Sequence, residues 1–285
     1  MRSARPAGSS RLRTLAVLLP LAFIGVILIY PVGRMLITSF STPTWGLQNY
    51  VEMASDGYSL RVIGRTFQNA LVVTAVTLVI AYPFAYLMTI VSDRVRAVMV
   101  AVVLLPFWTS AVVRSFAWLV LFQANGPIDS FARSVGLGSV TILGTPLAVT
   151  IAMTQVLLPF MALPLFNTLR GIDRSLLSAA RSLGAPPARA FLRVYLPLSR
   201  PGVIAGCMMV FILSLGFYIT PALLGSPREQ MVPQLITQLV QQNLDLPSAS
   251  ALAVTLLVLA TLVLTIASLF GGRSTAVAGV SGGTR

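Results

Sequence analysis

Side chains that could carry acid–base or metal chemistry are scarce in this sequence. It contains no histidine, one cysteine (Cys207) and seven acidic residues in 285 positions. Without histidine, serine and cysteine nucleophiles lack their most common base, and zinc lacks a common ligand. No GxxxxGK[ST] pattern is present, so the chain has no phosphate-binding loop for ATP. We therefore predict no catalytic residues, no metal site and no cofactor in this chain.

The remaining polar chemistry is that of arginine, because the sequence has no lysine and a net charge of +13. Such a charge on a soluble protein would indicate nucleic-acid binding. Here the arginines cluster between apolar runs, which favours a membrane-topology signal and no nucleic acid. Arg114 differs, because it lies about 17 residues into a predicted span and, at about 1.5 Å per residue, nearer the outer interface than the centre. An intramembrane charge is a functional candidate, and we predict that it supports assembly or gating.

A set of aromatic and hydroxyl side chains could line a path for a cationic solute. Aromatic faces attract ammonium groups by about 0.5–2 kcal/mol each. For each aromatic residue, helix packing or anchoring at the membrane interface is the alternative interpretation. The candidate path residues are Trp108, Thr109, Ser110, Trp118, Phe217, Tyr218 and Thr220.

Long apolar runs must position these residues. Hydrophobic residues make up 56% of the chain and charged residues 9%, whereas soluble domains carry about 25% charged residues. Several runs approach the roughly 20 residues with which an α-helix crosses a bilayer. The pattern predicts an all-α, polytopic membrane protein. Its six predicted transmembrane helices cover about residues 15–37, 66–91, 97–122, 146–168, 202–221 and 249–270.

The distribution of arginine predicts the orientation of these helices. Four arginines lie in the N-terminal tail 1–14, two in the turn 92–96, six in residues 169–200 and two in the C-terminal tail 271–285. The loops on the opposite side hold four arginines. Positive residues accumulate on the cytoplasmic side. We therefore predict that both termini are cytoplasmic, together with residues 169–200, which we call the polar segment, and that the C-terminal tail is flexible.

The polar segment carries signals for two short helices. Asp173 can cap the start of the first helix, and Gly184 can end it in a left-handed conformation. Pro186 and Pro187 favour the start of a second helix. The segment could lie against lipid headgroups, with its arginines meeting acidic lipid, or it could dock on a partner protein. Its residue chemistry alone leaves both interpretations open.

The spacing of the polar segment resembles the EAA loop of ABC importer permeases, EAA-x3-G-x9-I-x-LP. The matching positions are Ser178, Ala179, Ala180, Gly184, Val194, Leu196 and Pro197. Ser178 stands where the family usually has glutamate. In that family the loop forms a coupling helix in a cleft of a cytoplasmic ATPase dimer, whose closure rocks the spans between inward- and outward-facing states. The resemblance implies the type I ABC importer permease fold, with ATP and Mg²⁺ bound by the separate ATPase.

Two further stretches resemble the spermidine/putrescine permeases. Residues 105–118 are similar to the third-span signature of that group, and residues 216–225 to its fifth-span exit. The resemblance implies a polyamine importer subunit in the bacterial inner membrane. It also implies three kinds of partner: a second permease subunit in a heterodimer, the ATPase dimer and a periplasmic substrate-binding protein.

Other functions stay open or are disfavoured by the sequence. Related ABC permeases carry opine-type compounds, iron, sulfate or thiamine, and the motifs do not distinguish these cargoes. A stand-alone secondary transporter is disfavoured because no predicted span contains a carboxylate or a histidine for ion coupling. An intramembrane hydrolase is disfavoured because no base is available at membrane depth to activate a serine.

Overall fold

The computed structural model describes residues 8–41 and 45–270, and the regular secondary structure in these ranges is entirely helical. The described chain divides into two compact units, one of residues 8–57 and 236–255 and the other of residues 58–235 and 256–270. The all-α prediction is therefore confirmed for the described residues. The predicted tail 271–285 and most of the tail 1–14 lie outside them.

Fourteen α-helices follow one another along the described chain. The first seven are α1 (Gly8–Ser41), α2 (Gln48–Ser55), α3 (Gly57–Ile90), α4 (Asp93–Leu104), α5 (Ala111–Phe122), α6 (Pro127–Ser134) and α7 (Pro146–Arg170). The remaining seven are α8 (Ser175–Ser182), α9 (Pro187–Ala190), α10 (Leu196–Leu198), α11 (Arg200–Leu215), α12 (Ile219–Leu224), α13 (Val232–Gln241) and α14 (Leu246–Phe270). Short 3₁₀ turns cover Leu105–Trp108 and Pro227–Glu229, and a π-helical turn covers Phe191–Tyr195.

The smaller unit contains a polar corner between α1 and α2. Tyr50 donates a hydrogen bond from its hydroxyl to Ser39 Oγ at 2.8 Å, and Asn49 donates to the Ser39 carbonyl at 2.9 Å. The rings of Phe40 and Tyr50 lie 5.0 Å apart. Because Ser39 is fully buried, these bonds satisfy a polar group that would otherwise be costly to bury.

The core of the larger unit is built around α7. Pro146 occupies the first turn of α7, where its missing N–H costs nothing, and Leu157, Met161 and Leu165 are almost completely buried. Helix α11 packs against α7 through glycine. A Cβ atom on Gly202 would lie 2.6 Å from Thr168 Oγ1, and one on Gly206 would lie 2.6 Å from Met161 Sδ. Small residues of this kind let membrane helices approach closely.

Four helices are long and apolar enough to cross a membrane, and the number rises to six if each of two bent pairs counts as one span. The four are Phe23–Ser41 within α1, then Gly57–Ile90, Pro146–Arg170 and Leu246–Leu269. These segments overlap the first, second, fourth and sixth predicted spans.

The third and fifth predicted spans differ from the structure. The third, 97–122, is bent by 100° between Asp93–Trp108 and Ala111–Ser134, so the height of Arg114 cannot be counted along one straight helix. In the region of the fifth, 202–221, Pro187–Leu198 and Arg200–Leu215 are bent by 60°, and Gly216 then separates α11 from α12. Proline and glycine at these breaks remove backbone bonds or packing atoms that would continue the helices.

Candidate functional site

The first helix of the polar segment, α8, has well-defined ends. Ser175 donates its backbone N–H to Asp173 Oδ1 at 2.8 Å, which confirms the predicted role of the carboxylate at the helix start. At the other end Gly184 has φ +85°. The N–H of Gly184 bonds the Arg181 carbonyl at 2.9 Å, and that of Ala185 bonds the Ala180 carbonyl at 3.1 Å. This pair of bonds is the Schellman motif, so only glycine fits position 184 without strain.

The charge of Asp173 is stabilised where it stands. Hydrogen bonds from the Ser175 side chain, and then from the Ser175 backbone, lower the pKa of the Asp173 carboxyl below its usual value. The carboxylate is therefore ionised at neutral pH and faces the positive end of the α8 dipole.

The outer surface of α8 is accessible and largely uncovered by the described chain. Ser178 and Ala179 are exposed and Ala180 is half-buried, so three small side chains leave the helix backbone open to close approach. Leu183 is 88% exposed. Small side chains of this kind let another surface approach the helix backbone closely.

The second half of the polar segment begins at Pro187 and includes the π-helical turn. Of the motif positions here, Val194 and Pro197 are half-buried and Leu196 is 38% exposed. The π-helical turn inserts an extra residue into the helix, a feature that is frequent at functional sites.

Contacts on the inner side fix the polar segment to the end of α3. Arg174 donates from Nη2 to the Thr89 carbonyl at 2.5 Å. Tyr82 and Ser199 share a hydrogen bond of 3.0 Å between their hydroxyl oxygens. Between these points lies an aromatic cluster, in which ring centroids are 5.4–6.2 Å apart. Its members are Tyr82, Tyr86, Phe191 and Tyr195.

Each aromatic pair in this cluster contributes about 0.5–1.5 kcal/mol beyond its buried area. The polar segment is thus held on one side and free on the other. The rings of Phe191 and Tyr195 thus join the polar segment to Tyr82 and Tyr86 of α3.

The bent third span forms a second candidate region. Thr109 donates its hydroxyl to the Pro106 carbonyl at 2.9 Å, and Arg114 donates from Nη1 to the same carbonyl at 2.5 Å. The guanidinium of Arg114 also lies 3.4 Å from Thr109 Oγ1. In the 3₁₀ turn the Pro106 carbonyl also accepts the Thr109 N–H at 3.4 Å, in place of the N–H that a continuing α-helix would supply. Arg114 therefore serves the bend directly, a role that the sequence did not reveal.

A cleft of about 320 Å³ opens beside this bend, and we call it the membrane cleft. Its wall includes Val156 and Phe160, near the middle of α7, together with Arg114. The lining residues are Pro106, Phe107, Thr109, Ala111, Arg114, Val156, Leu157, Phe160, Leu213 and Phe217.

The structure brings only some of the predicted path residues to the membrane cleft. Thr109 and Phe217 line it together with Arg114. Trp108 does not and is 89% exposed, and Tyr218 is 42% exposed. Ser110 is also exposed and lies outside the lining set.

The two remaining path candidates make specific hydrogen bonds instead. Trp118 donates its indole N–H to Gln155 Oε1 at 2.8 Å and stacks on Phe122 with a centroid separation of 4.8 Å. Thr220 is buried and lies 3.2 Å from the hydroxyl of Ser115. Gln155 was not predicted as a functional residue, because the sequence around a single glutamine in an apolar run does not indicate a partner 37 residues away.

The sequence and the fold were compared with those of known proteins. A family model described as the binding-protein-dependent transport system inner membrane component matches residues 81–274. The spermidine/putrescine transport system permease protein PotB of Escherichia coli (strain K12) is 30% identical over 230 residues, which are 80% of this chain and 83% of that protein. PotB of Haemophilus influenzae is 34% identical over 215 residues, 74% of this chain and 75% of that protein.

Solved structures share the fold. A bacterial ABC transporter involved in the import of the acidic polysaccharide alginate superposes with a TM-score of 0.71 and 20% identity, covering 94% of this chain and 97% of that one. A second structure of the alginate transporter, in complex with its alginate pentasaccharide-bound periplasmic protein, gives a TM-score of 0.70 at 19% identity, with coverages of 94% and 96%. At these identities the likeness establishes the architecture alone.

Proposed function

This chain belongs to the family of inner-membrane components of binding-protein-dependent transport systems, and from that membership we propose that it imports polyamines, putrescine and spermidine, through an alternating-access route. The chain is the multi-pass permease subunit of an ABC importer. The cargo and the roles of individual residues are the proposed part.

The cargo proposal is supported by two relatives and by the membrane cleft. Both PotB proteins carry spermidine and putrescine in their names and align with about three quarters or more of this chain. Phe107, Phe160 and Phe217 line the cleft, and the rings of Phe107 and Phe160 are 5.1 Å apart. Aromatic faces suit the ammonium groups and methylene spine of a polyamine.

In the proposed mechanism, a separate subunit supplies the energy for transport. We propose that α8 inserts its small-residue surface into a groove of the ATPase, which binds ATP and Mg²⁺. Closure of the ATPase dimer then pushes α8, and the aromatic cluster passes the movement to α3. A second permease subunit completes the route, and a periplasmic binding protein delivers the solute. In this arrangement the polar segment and both termini are cytoplasmic.

One observation carries this mechanism: α8 has no buried residue, whereas the rest of the polar segment is bound to α3 through Arg174, Ser199 and the aromatic cluster. A helix that only rested on lipid headgroups would not need Arg174, Ser199 and an aromatic cluster to connect it to a membrane-spanning helix. Those contacts are what a movement of α8 requires in order to reach α3.

The test of cargo and energy source measures uptake of labelled putrescine and spermidine. Cells lacking this gene, and cells lacking the ATPase gene, are compared with the parent strain in a background without other polyamine importers. Loss of uptake in both deletions supports the proposal. Unchanged polyamine uptake would refute polyamines as the cargo. Opines, iron, sulfate and thiamine would then be the solutes to test. Uptake that survives loss of the ATPase alone would favour a secondary transporter.

The test of docking uses one exposed leucine and a matched control. Leu183→Asp places a charge on the outer face of α8, and we expect the ATPase to be lost when the complex is purified through this chain. Leu137→Asp changes a leucine that is 73% exposed between α6 and α7, and it should retain the ATPase. Equal ATPase retention in both variants would remove α8 as the docking helix.

A further inference from the structure

A second polar cleft lies at the opposite end of α3 from the polar segment, and we call it the outer cleft. It has a volume of about 250 Å³ and is lined in part by Arg65, Gln68, Asn69, Thr150 and Glu229. Arg65 precedes Thr89, the contact of Arg174, by 24 residues of one helix, which corresponds to about 36 Å. The outer cleft is thus separated from α8 by the thickness of a bilayer.

The wall that α3 contributes to the outer cleft is polar. Charged and amide side chains near the end of a membrane-spanning helix contact water, lipid headgroups or another polar group. Another wall of α3 shows the contrast, because Leu71 and Thr74 line a separate groove with Phe211 and Val263. Helix α3 therefore presents an apolar side and a side that carries Arg65, Gln68 and Asn69.

The two charges of the outer cleft do not neutralise each other directly. The ion pairs among the described residues join Arg96 to Asp93 and Arg133 to Asp129, so neither Arg65 nor Glu229 belongs to one. A guanidinium matches a carboxylate in a two-pronged hydrogen bond. A glutamate matches an ammonium group, and Gln68 and Thr150 add neutral hydrogen-bonding groups. One small ligand satisfies this set if it carries both charges.

We propose that the outer cleft binds the head of a solute bearing an ammonium and a carboxylate group, so that the importer accepts carboxylated diamines beside polyamines. The ammonium contacts Glu229 and the carboxylate contacts Arg65. This inference rests on the proposed amine-import function and adds a second class of cargo. The membrane cleft is compatible with it, because its lining residues include Arg114 and no acidic side chain.

Ornithine and putrescine form the matched pair of probes, since ornithine is putrescine with one added carboxylate. The complete complex of both permeases and the ATPase is purified in an uncharged detergent without the binding protein, and equilibrium binding of each labelled compound is measured. Arg65→Gln should weaken ornithine binding by about tenfold, the loss expected for one charge-assisted hydrogen bond. It should leave putrescine binding unchanged or stronger. Glu229→Gln should weaken binding of both compounds.

Two control variants separate a ligand contact from a general change of charge. Arg61→Gln removes an exposed arginine one turn earlier on α3, and Glu52→Gln removes an exposed carboxylate on α2. Both should leave binding of the two probes unchanged. An equal loss of ornithine and putrescine binding in Arg65→Gln would overturn the proposal, as would putrescine binding without measurable ornithine binding in the wild type.

Two further outcomes identify other occupants of the outer cleft. If Arg65→Gln releases the second permease during size-exclusion chromatography, the cleft is a subunit contact and the proposal fails. If added phosphatidylethanolamine abolishes ornithine binding, the cleft is a lipid headgroup site and the proposal also fails. Putrescine uptake by cells tests the proposed function separately. Ornithine binding can therefore fail while polyamine import stands.

Discussion

Two interruptions of the apolar helices can be compared: the polar segment between α7 and α11, and the bend between α4 and α5. Both contain proline, and both depart from regular α-helix. The polar segment is filled from within by an aromatic cluster and by Ser199, which is fully buried. The bend leaves an open cleft of about 320 Å³, with Arg114 bonded to the Pro106 carbonyl. A break that is filled by side chains holds the neighbouring helices together, whereas an open break leaves a cleft between them.

The largest expected effect comes from filling the close contact on which the polar segment depends. In Gly202→Leu the new side chain would overlap Thr168 and approach the Pro164 carbonyl, which a Cβ atom alone would reach at 3.2 Å. Overpacking of this kind costs about 1–3 kcal/mol or more. We expect little or no assembled complex in membranes. Gly64→Leu is the control, because no atom lies within 4 Å of a Cβ at that position; similar yields for both variants would refute the close contact.

The next largest effect is expected when the contacts between the polar segment and α3 are weakened and the α7–α11 contact is left undisturbed. Phe191→Ala removes a ring whose centroid lies 6.2 Å from Tyr82, 5.9 Å from Tyr86 and 5.4 Å from Tyr195. Three aromatic pairs are worth roughly 2–4 kcal/mol. We expect uptake per ATP hydrolysed to fall about tenfold, since 1.4 kcal/mol already corresponds to tenfold.

Vesicles containing the purified complex allow ATP hydrolysis and putrescine uptake to be measured together. Phe131→Ala, at an exposed ring in α6, should leave their ratio unchanged. If Phe191→Ala lowers hydrolysis and uptake in equal proportion, the rings do not couple the two processes.

A smaller effect is expected at the open break. Arg114→Ala releases the Pro106 carbonyl, and we expect a severalfold decrease in complex yield or maximal putrescine uptake, with an unchanged half-saturation constant. A hydrogen bond from a charged donor is worth about 1.5–3 kcal/mol. Arg114→Lys keeps a positive donor and should restore part of the loss. The opposite pattern, a normal yield with a changed half-saturation constant, would make Arg114 a solute contact.

The smallest effect is expected at the start of α8. Because the pKa of Asp173 is lowered in the folded protein, its stabilising contribution is complete above the unfolded pKa and is lost only as the pH falls through the lowered value. Backbone hydrogen exchange of α8 should therefore show no Asp173-dependent change between about pH 5 and pH 8. Asp173→Asn should slightly speed that exchange; an Asp173-dependent change near neutral pH would contradict the lowered pKa.

Features set by local chemistry were accessible from the sequence. Asp173 and Gly184 mark the ends of α8 within a few residues, because capping and a left-handed turn depend on the residue itself. The apolar runs located the long helices for the same reason. The boundaries were less accurate: the second span was predicted from about residue 66, whereas α3 begins at Gly57.

Features set by tertiary contact were not accessible. Pro106 signals a weak point in a helix, but the 100° bend depends on what packs around it. Local sequence patterns do not predict the bond from Trp118 to Gln155 or the shared cleft of Arg65 and Glu229, because the partners are distant along the chain. The path residues were chosen by residue type alone. In the structure some of them line the membrane cleft, some lie on the surface and some pack within the helix bundle.

The continuity of α3 has a mechanical consequence. From Arg65 to Thr89 the chain is helical throughout, with Pro83 inside the helix, and this stretch is about 36 Å long. If the end at Thr89 acted as the pivot, a tilt of 10° would displace the Arg65 end by about 6 Å, the scale of one helical turn. If the polar segment docks on the ATPase as proposed, the length of α3 sets how far a small rotation at Thr89 displaces the end at Arg65.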